Sequence, residues 1–295
     1  GKRDRWGRVS AEERRAAVAA WLAAHPDDAE RLASYRRLPA ALRTTYQVVL
    51  AAPVGLVFWR TFEHGIGPAW DAVTTPAAKH ALLLTLEITA IAVPANTVFG
   101  VICALAIVRQ RFPGKGIINA LVDLPLALSP VVVGLAFLLL YSRTGWFGSW
   151  LTEHGIQVVF AFPGMVLVTI FISLPFVVRE VVPVLREIGT EQEQAAATLG
   201  ASPFQTFRRV TLPAIRWAVA YGVVLTTARA LGEFGAISVI SGHVVGKTET
   251  MTLHVEERFQ AFDYTAAYAA SVVLAMIAIA TLVLMSLFKP KEQIR

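Results

Sequence analysis

The sequence predicts an all-α polytopic membrane protein with six transmembrane helices and both termini on the cytoplasmic side. Three observations carry that prediction. Of the 295 residues 55% are hydrophobic and only 16% charged, with a mean hydropathy of +0.56, whereas a soluble domain runs near ~25% charged. The apolar residues are gathered into runs of the length, about 20 residues, that crosses roughly 30 Å of hydrocarbon. Finally, the basic residues are sorted: 21 Lys/Arg fall on the ends and loops of one side and five on the other, which places the richer side in the cytoplasm.

The elements follow in chain order. Residues 10–37 read SAEERRAAVAAWLAAHPDDAERLASYRR. Ser10 with Glu13 three residues later has the form of a capping box, and a second short helix follows from Asp27 after His25-Pro26. Residues 1–43 are thus expected to be a cytoplasmic helical extension, too charged and broken for a cleavable leader. The opening on Gly1 rather than methionine reads as a trimmed or partial chain.

The first apolar run, TYQVVLAAPVGLVFWRTF at 45–62, sits at the low edge of spanning length. The second covers 80–108. The third, 117–141, contains Asp123, Pro125 and Pro130, so a bent or tilted element is expected, its polar breaks facing protein or water. A fourth runs over 157–178, a fifth over 214–240 and a sixth over 265–287, leaving 291–295 as a cytoplasmic tail.

The same composition excludes other classes. The net charge of +6 is strung along span edges instead of being gathered with aromatics on one surface, so no nucleic-acid partner is expected. Cys103 is the single cysteine, which rules out an intrachain disulfide and a closed cysteine metal site. His80, His154, His243 and His254 are scattered and suggest no ligand cluster. No catalytic, cofactor-binding or metal residue is assigned.

Between the fourth and fifth runs the chain interrupts itself with EQEQAAATLGASPFQTFRRVTLP, residues 191–213. Helical spacing sets Ala195, Leu199, Phe204 and Phe207 toward one side, with Gln192, Gln194 and Arg208 wet. Gly200 and Pro203 divide the piece into two short helices or put a corner in it, and Leu212-Pro213 reads as a stop. Such a segment either docks into a groove of a cytosolic partner or lies solvated at the interface.

This pattern resembles the cytoplasmic signature of the permease subunits of bacterial ABC importers: Glu-Ala-Ala, three residues, Gly, nine residues, then Ile-x-Leu-Pro. Ala195 and Ala196 match the alanines, Gly200 the glycine, and Val210, Leu212 and Pro213 the last group. Gln194 stands where that family usually has glutamate, so its charge is lost or taken over by Glu191 or Glu193. The resemblance implies the type I importer permease fold over 44–290. It also implies that 191–213 is the coupling region through which Gln194, Ala195, Ala196, Gly200, Ala201, Pro203, Phe204, Leu212 and Pro213 meet a cytosolic ABC ATPase dimer.

The later stretch TTARALGEFGAISVISGHVVGKTETMTLHVEERFQAFDYTAAYAAS is similar to sulfate and thiosulfate permeases, particularly the second of their two membrane subunits. Molybdate and tungstate permeases share the LGEFGA portion. The partners implied are a homologous second permease, the ATPase, a periplasmic sulfate-binding protein, sulfate or thiosulfate, and the lipid of a bacterial inner membrane. GHVVGKT at 242–248 is no phosphate loop: it has three residues instead of four before Gly-Lys and follows a span, not a strand. ATP hydrolysis therefore belongs to a separate subunit.

Charges at membrane depth are costly unless paired or wet. Glu87, Asp123, Arg229 and Glu233 are accordingly candidates for the translocation path or a gate, or else satisfied structural polarity. Arg229 and Glu233 are four apart on one helix face and are expected to pair. Asn96, beside Pro94, is expected to cap a kink. An ion-coupled secondary transporter is the rival of another class, and it would leave 191–213 without a purpose.

Overall fold

The computed structural model describes residues 51–288. The expected hairpin at 10–37, the start of the first run and the tail at 291–295 lie outside the described residues. By internal contacts the chain falls into two units, Gly1–Trp59 and Arg60–Arg295. Of the first, 51–59 are described, as turns of a helix (α1, 51–62) with exposed Val54, Leu56 and Trp59.

Among the described residues, the second unit's regular structure is all helical. After α2 (Ile66–Val73) comes α3 (Pro76–Arg109), 34 residues long. It begins where Thr75 caps the Ala78 N–H at 3.2 Å and Pro76 pre-sets the first turn. Next are α4 (Lys115–Ala127) and α5 (Pro130–Tyr141), bent by 113° where Ser129 is held extended before Pro130. The expectation of a bent third element is met. Short α6 (Gly148–Glu153) leads to α7 (Phe162–Glu187). This helix starts and ends later than the sequence suggests, because Pro163 favours the first turn. Its far end stays helical while Val181, Val182 and Leu185 are buried.

The interrupting segment forms α8 (Glu191–Thr198), α9 (Pro203–Thr206) and a π-helical turn (Phe207–Thr211) that runs into α10 (Leu212–Leu231). Leu212-Pro213 is therefore no stop: Pro213 lacks an N–H for Arg209, the turn before it widens, and the Leu212 N–H reaches Phe207 O. The fifth run, expected to reach 240, ends at Leu231, after which the chain breaks before a separate turn, α11 (Ile237–Ile240). Finally α12 (Met251–Gln260) precedes α13 (Tyr264–Phe288). Four of these helices are long and apolar enough to cross a membrane, or five segments if the bent α4–α5 pair is one span.

Packing centres on α3, α7 and α10. Asn96 Nδ2 donates to Ser173 Oγ at 2.9 Å, and Arg109 Nη1 donates to Leu185 O at 3.0 Å, so α3 and α7 run parallel. Asn96 is thus a bridge between helices and not the expected kink cap. Helix α10 runs against both: Thr211 meets Glu193, while Gly222, about three turns further along, lies on Val177. A β-carbon at Gly100 would sit 2.7 Å from Val177 Cβ, and one at Gly222 2.8 Å from Val177 Cα. Close backbone approach of this kind is how helices pack where lipid offers no hydrophobic drive. Around it lies a core of Ala104, Ile107, Val181, Leu185 and Ile215, with a second toward the other end built on Ile88, Met165, Val168, Ile237 and Ile240. The outward face of α3 carries Leu83, Val98, Phe99 and Ile102, all more than half exposed in the single chain.

Candidate functional site

Helix α8 ends in a Schellman turn. The Gly200 N–H donates to Ala197 O at 3.0 Å and the Ala201 N–H to Ala196 O at 3.1 Å, with Gly200 at φ +83. That left-handed conformation is what glycine supplies at the end of a helix. Ser202 and Gln205 then close a reciprocal capping box, 3.3 and 2.9 Å, that starts α9 after the Pro203 corner. The expected two-piece segment is present, and its outer surface carries Leu199 and Phe204, 88% and 69% exposed. Ala195, Ala196, Leu199, Arg209 and Pro213 line an open groove of ≈ 670 Å³. Phe207 does not join them. The wide π turn carries it inward, where it packs half-buried against the core of α3, α7 and α10.

Residues absent from the signature hold this segment in place. Glu193 accepts from Arg109 Nη2 at 3.2 Å and from Thr211 Oγ1 at 2.8 Å, and its other oxygen pairs with Arg109 Nε at 2.9 Å. Arg109 also donates to Leu185 O and to Gly189 O, the latter at 2.7 Å. One guanidinium thus ties the end of α3 to the end of α7 and to α8, while Thr211 adds the foot of α10. Glu193 spends its charge inside the chain. Gln194, at the position of the usual glutamate, is exposed and donates to Thr190 Oγ1 at 3.0 Å. Glu191 is exposed beside the Gly189 turn. Sequence spacing offered no sign of Arg109, because it lies 84 residues from Glu193.

The charged candidates within the spans separate into three situations. Glu87 is exposed on α3 and makes no ion pair among the described residues. Asp123 on α4 pairs with both arms of Arg179 on α7. Arg229 and Glu233 form the expected pair at 2.5 Å, with the Glu233 side chain 1% exposed. Glu233 also accepts the Ala236 N–H at 2.9 Å, and its carbonyl takes the Thr252 hydroxyl at 2.8 Å. It therefore fixes the break between α10 and α11 as well as neutralising Arg229.

At the start of α12, three residues meet that sequence spacing left apart. His254 Nδ1 lies 2.9 Å from Glu249 Oε1, and Glu257 offers an oxygen to the same cluster. Burial works to raise the Glu249 carboxyl, but hydrogen bonding with His254 and Glu257 outweighs it and holds the group below its ordinary value. Glu257, facing the Glu249 carboxylate and partly buried, is pushed up. His254 is thus part of a ligand-type cluster, with glutamates instead of the other histidines.

Comparison with known proteins places these features in a lineage. Residues 96–292 match the family model of binding-protein-dependent transport system inner membrane components. The sulfate transport system permease protein CysW of Synechocystis is 48% identical over 244 residues, which is 83% of this chain and 88% of that protein. CysW of Escherichia coli is 47% identical over 241 residues, 82% of this chain and 83% of the relative. CysT of Escherichia coli, named as a permease of the same kind of system, is 41% identical over 229 residues, 77% of this chain and 83% of that one. A crystal structure of a bacterial ABC transporter that imports the acidic polysaccharide alginate superposes with a TM-score of 0.74 at 18% identity, covering 88% of this chain and 96% of its own. At that identity the likeness concerns the fold alone.

Proposed function

This chain belongs to the family of binding-protein-dependent transport system inner membrane components, and we propose that it is the transmembrane permease subunit of an ATP-driven sulfate or thiosulfate importer. Residues 44–290 form the permease domain, with six spans and both termini cytoplasmic. It pairs with a homologous permease in a bacterial inner membrane and receives the dianion from a periplasmic binding protein. The chain performs no covalent chemistry; a cytosolic ATPase dimer hydrolyses ATP.

The observation that carries the coupling part is the exposed two-piece segment clamped to three apolar helices. A knob that is solvent-facing on one side and rigidly tied on the other transmits a displacement of its partner to the spans. Ala195, Ala196, Gly200, Ala201, Pro203, Phe204, Leu212 and Pro213 shape the docking surface, with Gln194 supplying an uncharged acceptor at its edge. The substrate rests on the relatives named as sulfate permeases, in both the CysW and the CysT form. Glu87, Asp123, Arg229 and Glu233 belong to the path or its gate, and the dianion is held chiefly by backbone N–H groups at broken helix ends.

Uptake of labelled sulfate into cells lacking their own importer, supplied with this permease and its neighbouring genes, tests both parts. Sulfate uptake that vanishes with Gly200→Trp while the protein still reaches the membrane is the expected result. Uptake indifferent to that replacement overturns the coupling role. Molybdate uptake without sulfate uptake overturns the substrate.

A further inference from the structure

We propose that Glu249, just before α12, and His254 and Glu257 on α12 form a binding site for a divalent transition-metal cation of the zinc type. The proposal is independent of which anion the permease carries.

The first observation is convergence. One ligand atom from each of the three residues lies within 4.8 Å of the others. Zinc bonds of about 2.0–2.2 Å to nitrogen and oxygen set the ligand atoms of a tetrahedral site roughly 3.4 Å apart. Glu249 Oε1 and His254 Nδ1, at 2.9 Å, are already within half an ångström of that spacing. His254 and Glu257 stand three apart on α12 and so share a face. Glu257 must close by at most about 1.4 Å to complete the site, on the same bond-length estimate. It has the freedom to do so: its side chain is 44% exposed, and its ion partner Arg258, next in sequence, holds it at only 3.3 Å.

The second observation is independent of proximity and points to a missing ligand. Glu249 is 2% exposed, and among the described residues no N–H or O–H group of fixed geometry donates to its Oε2. A buried carboxylate normally has its lone pairs met by donors or by a metal. Here one oxygen faces His254, and the other group bonded to Glu249 is a second carboxyl, Glu257, which can meet it only while it holds a proton. A cation held by both oxygens of Glu249 meets the orphaned Oε2 and the Glu257 carboxylate at once, and the proton of the His254 Nδ1–Glu249 Oε1 bond leaves for solvent. The donor set of one imidazole and two carboxylates favours a borderline ion such as zinc over calcium or magnesium, which prefer all-oxygen sites. Three protein ligands leave a fourth position for water.

The location gives such an ion a consequence. The Met251 N–H donates to Thr85 Oγ1 on α3 at 2.8 Å, and Thr252 donates to Glu233 O at 2.8 Å. An ion bridging Glu249, just before α12, to the second turn of that helix stiffens a segment that touches both α3 and the Arg229–Glu233 turn.

The test uses the full chain, purified in detergent with any histidine tag removed and stripped with chelator. Zinc content by plasma mass spectrometry and affinity by titration calorimetry are then compared with Glu257→Gln and Glu249→Gln. Glu257 lies at the exposed edge, so its variant is expected to fold even where Glu249→Gln does not. One zinc per chain, bound at least tenfold more weakly by Glu257→Gln and more tightly than calcium or magnesium, is the expected result. Less than one zinc per wild-type chain overturns the site. So does equal zinc affinity in wild type and Glu257→Gln, and so does a preference for calcium.

Discussion

Glu193 and Gln194 are neighbours with opposite orientations, and the difference predicts unequal mutational effects. Glu193 faces the chain and accepts charge-assisted bonds from Arg109, the two side chains being 21% and 16% exposed. Hydrogen bonds to charged groups contribute about 1.5–3 kcal/mol each. Glu193→Gln keeps one acceptor and loses the charge, so the clamp weakens by on the order of 1.4 kcal/mol, about tenfold in the population of the docked geometry. Sulfate-stimulated ATP hydrolysis by the assembled importer is expected to fall accordingly. Gln194→Glu alters an exposed side chain bonded only to Thr190, and hydrolysis is expected to stay within about twofold, a change worth only ~0.4 kcal/mol. Equal losses in the two variants would show that the clamp has no role. Gly200 makes a finer distinction. A β-carbon there meets nothing within 4 Å, so Gly200→Ala costs only the left-handed backbone, about 1 kcal/mol. A partial loss of uptake is therefore expected from Gly200→Ala where Gly200→Trp abolishes it.

Among elements, α3, α7 and α10 are welded at Val177, which both Gly100 and Gly222 approach. Neither clash can be relieved by turning a flexible side chain, since the atoms met are Val177 Cβ, Cγ1 and Cα. Overpacking of this kind costs about 1–3 kcal/mol. Gly100→Ala and Gly222→Ala are each expected to lower the thermal midpoint in detergent by several degrees. Gly67→Ala on α2, where nothing lies within 4 Å of the new carbon, is expected to leave it unchanged. A midpoint unmoved by Gly222→Ala would mean that the helices are looser than this packing. The existence of these helices was legible because length and hydropathy are local properties. Their limits were not: α10 ended early at Gly232, with the Glu233 carboxylate taking the Ala236 N–H beyond the break, and Pro213 widened a turn instead of closing one. The two-piece corner at 191–213 was legible as a pattern, because Gly200 frees the backbone and Pro203 breaks the helix. The clamp behind it was invisible, since Arg109 reads from sequence as one more cytoplasmic basic residue. The Glu249–His254–Glu257 cluster stayed hidden for a related reason: a turn must fold residues 249 and 254 together before the pair exists.

Across the second unit as a whole, the parallel course of α3 and α7 constrains topology more tightly than hydropathy does. Bent by 113°, α4 and α5 together advance only about 20 Å end to end at 1.5 Å per residue, less than the roughly 30 Å of hydrocarbon. Taken alone, that geometry would suit a re-entrant loop returning to its own side. Yet α3 and α7 point the same way, so the chain between them must travel back along their length. The contacts show how it does so. Asp123 on α4 meets Arg179 toward the end of α7, whereas Gly134 on α5 lies against Ala236, beyond the far end of α10. The loops on either side of the pair are therefore expected on opposite sides of the membrane. In a Cys103→Ser background, Trp146→Cys, at a side chain 88% exposed, is expected to react with an impermeant maleimide added outside. Arg111→Cys, in the basic loop after α3, is expected to react only once the membrane is opened. Labelling of both from the same side would make the bent pair re-entrant, and it would leave the parallel helices without a connection long enough to join them.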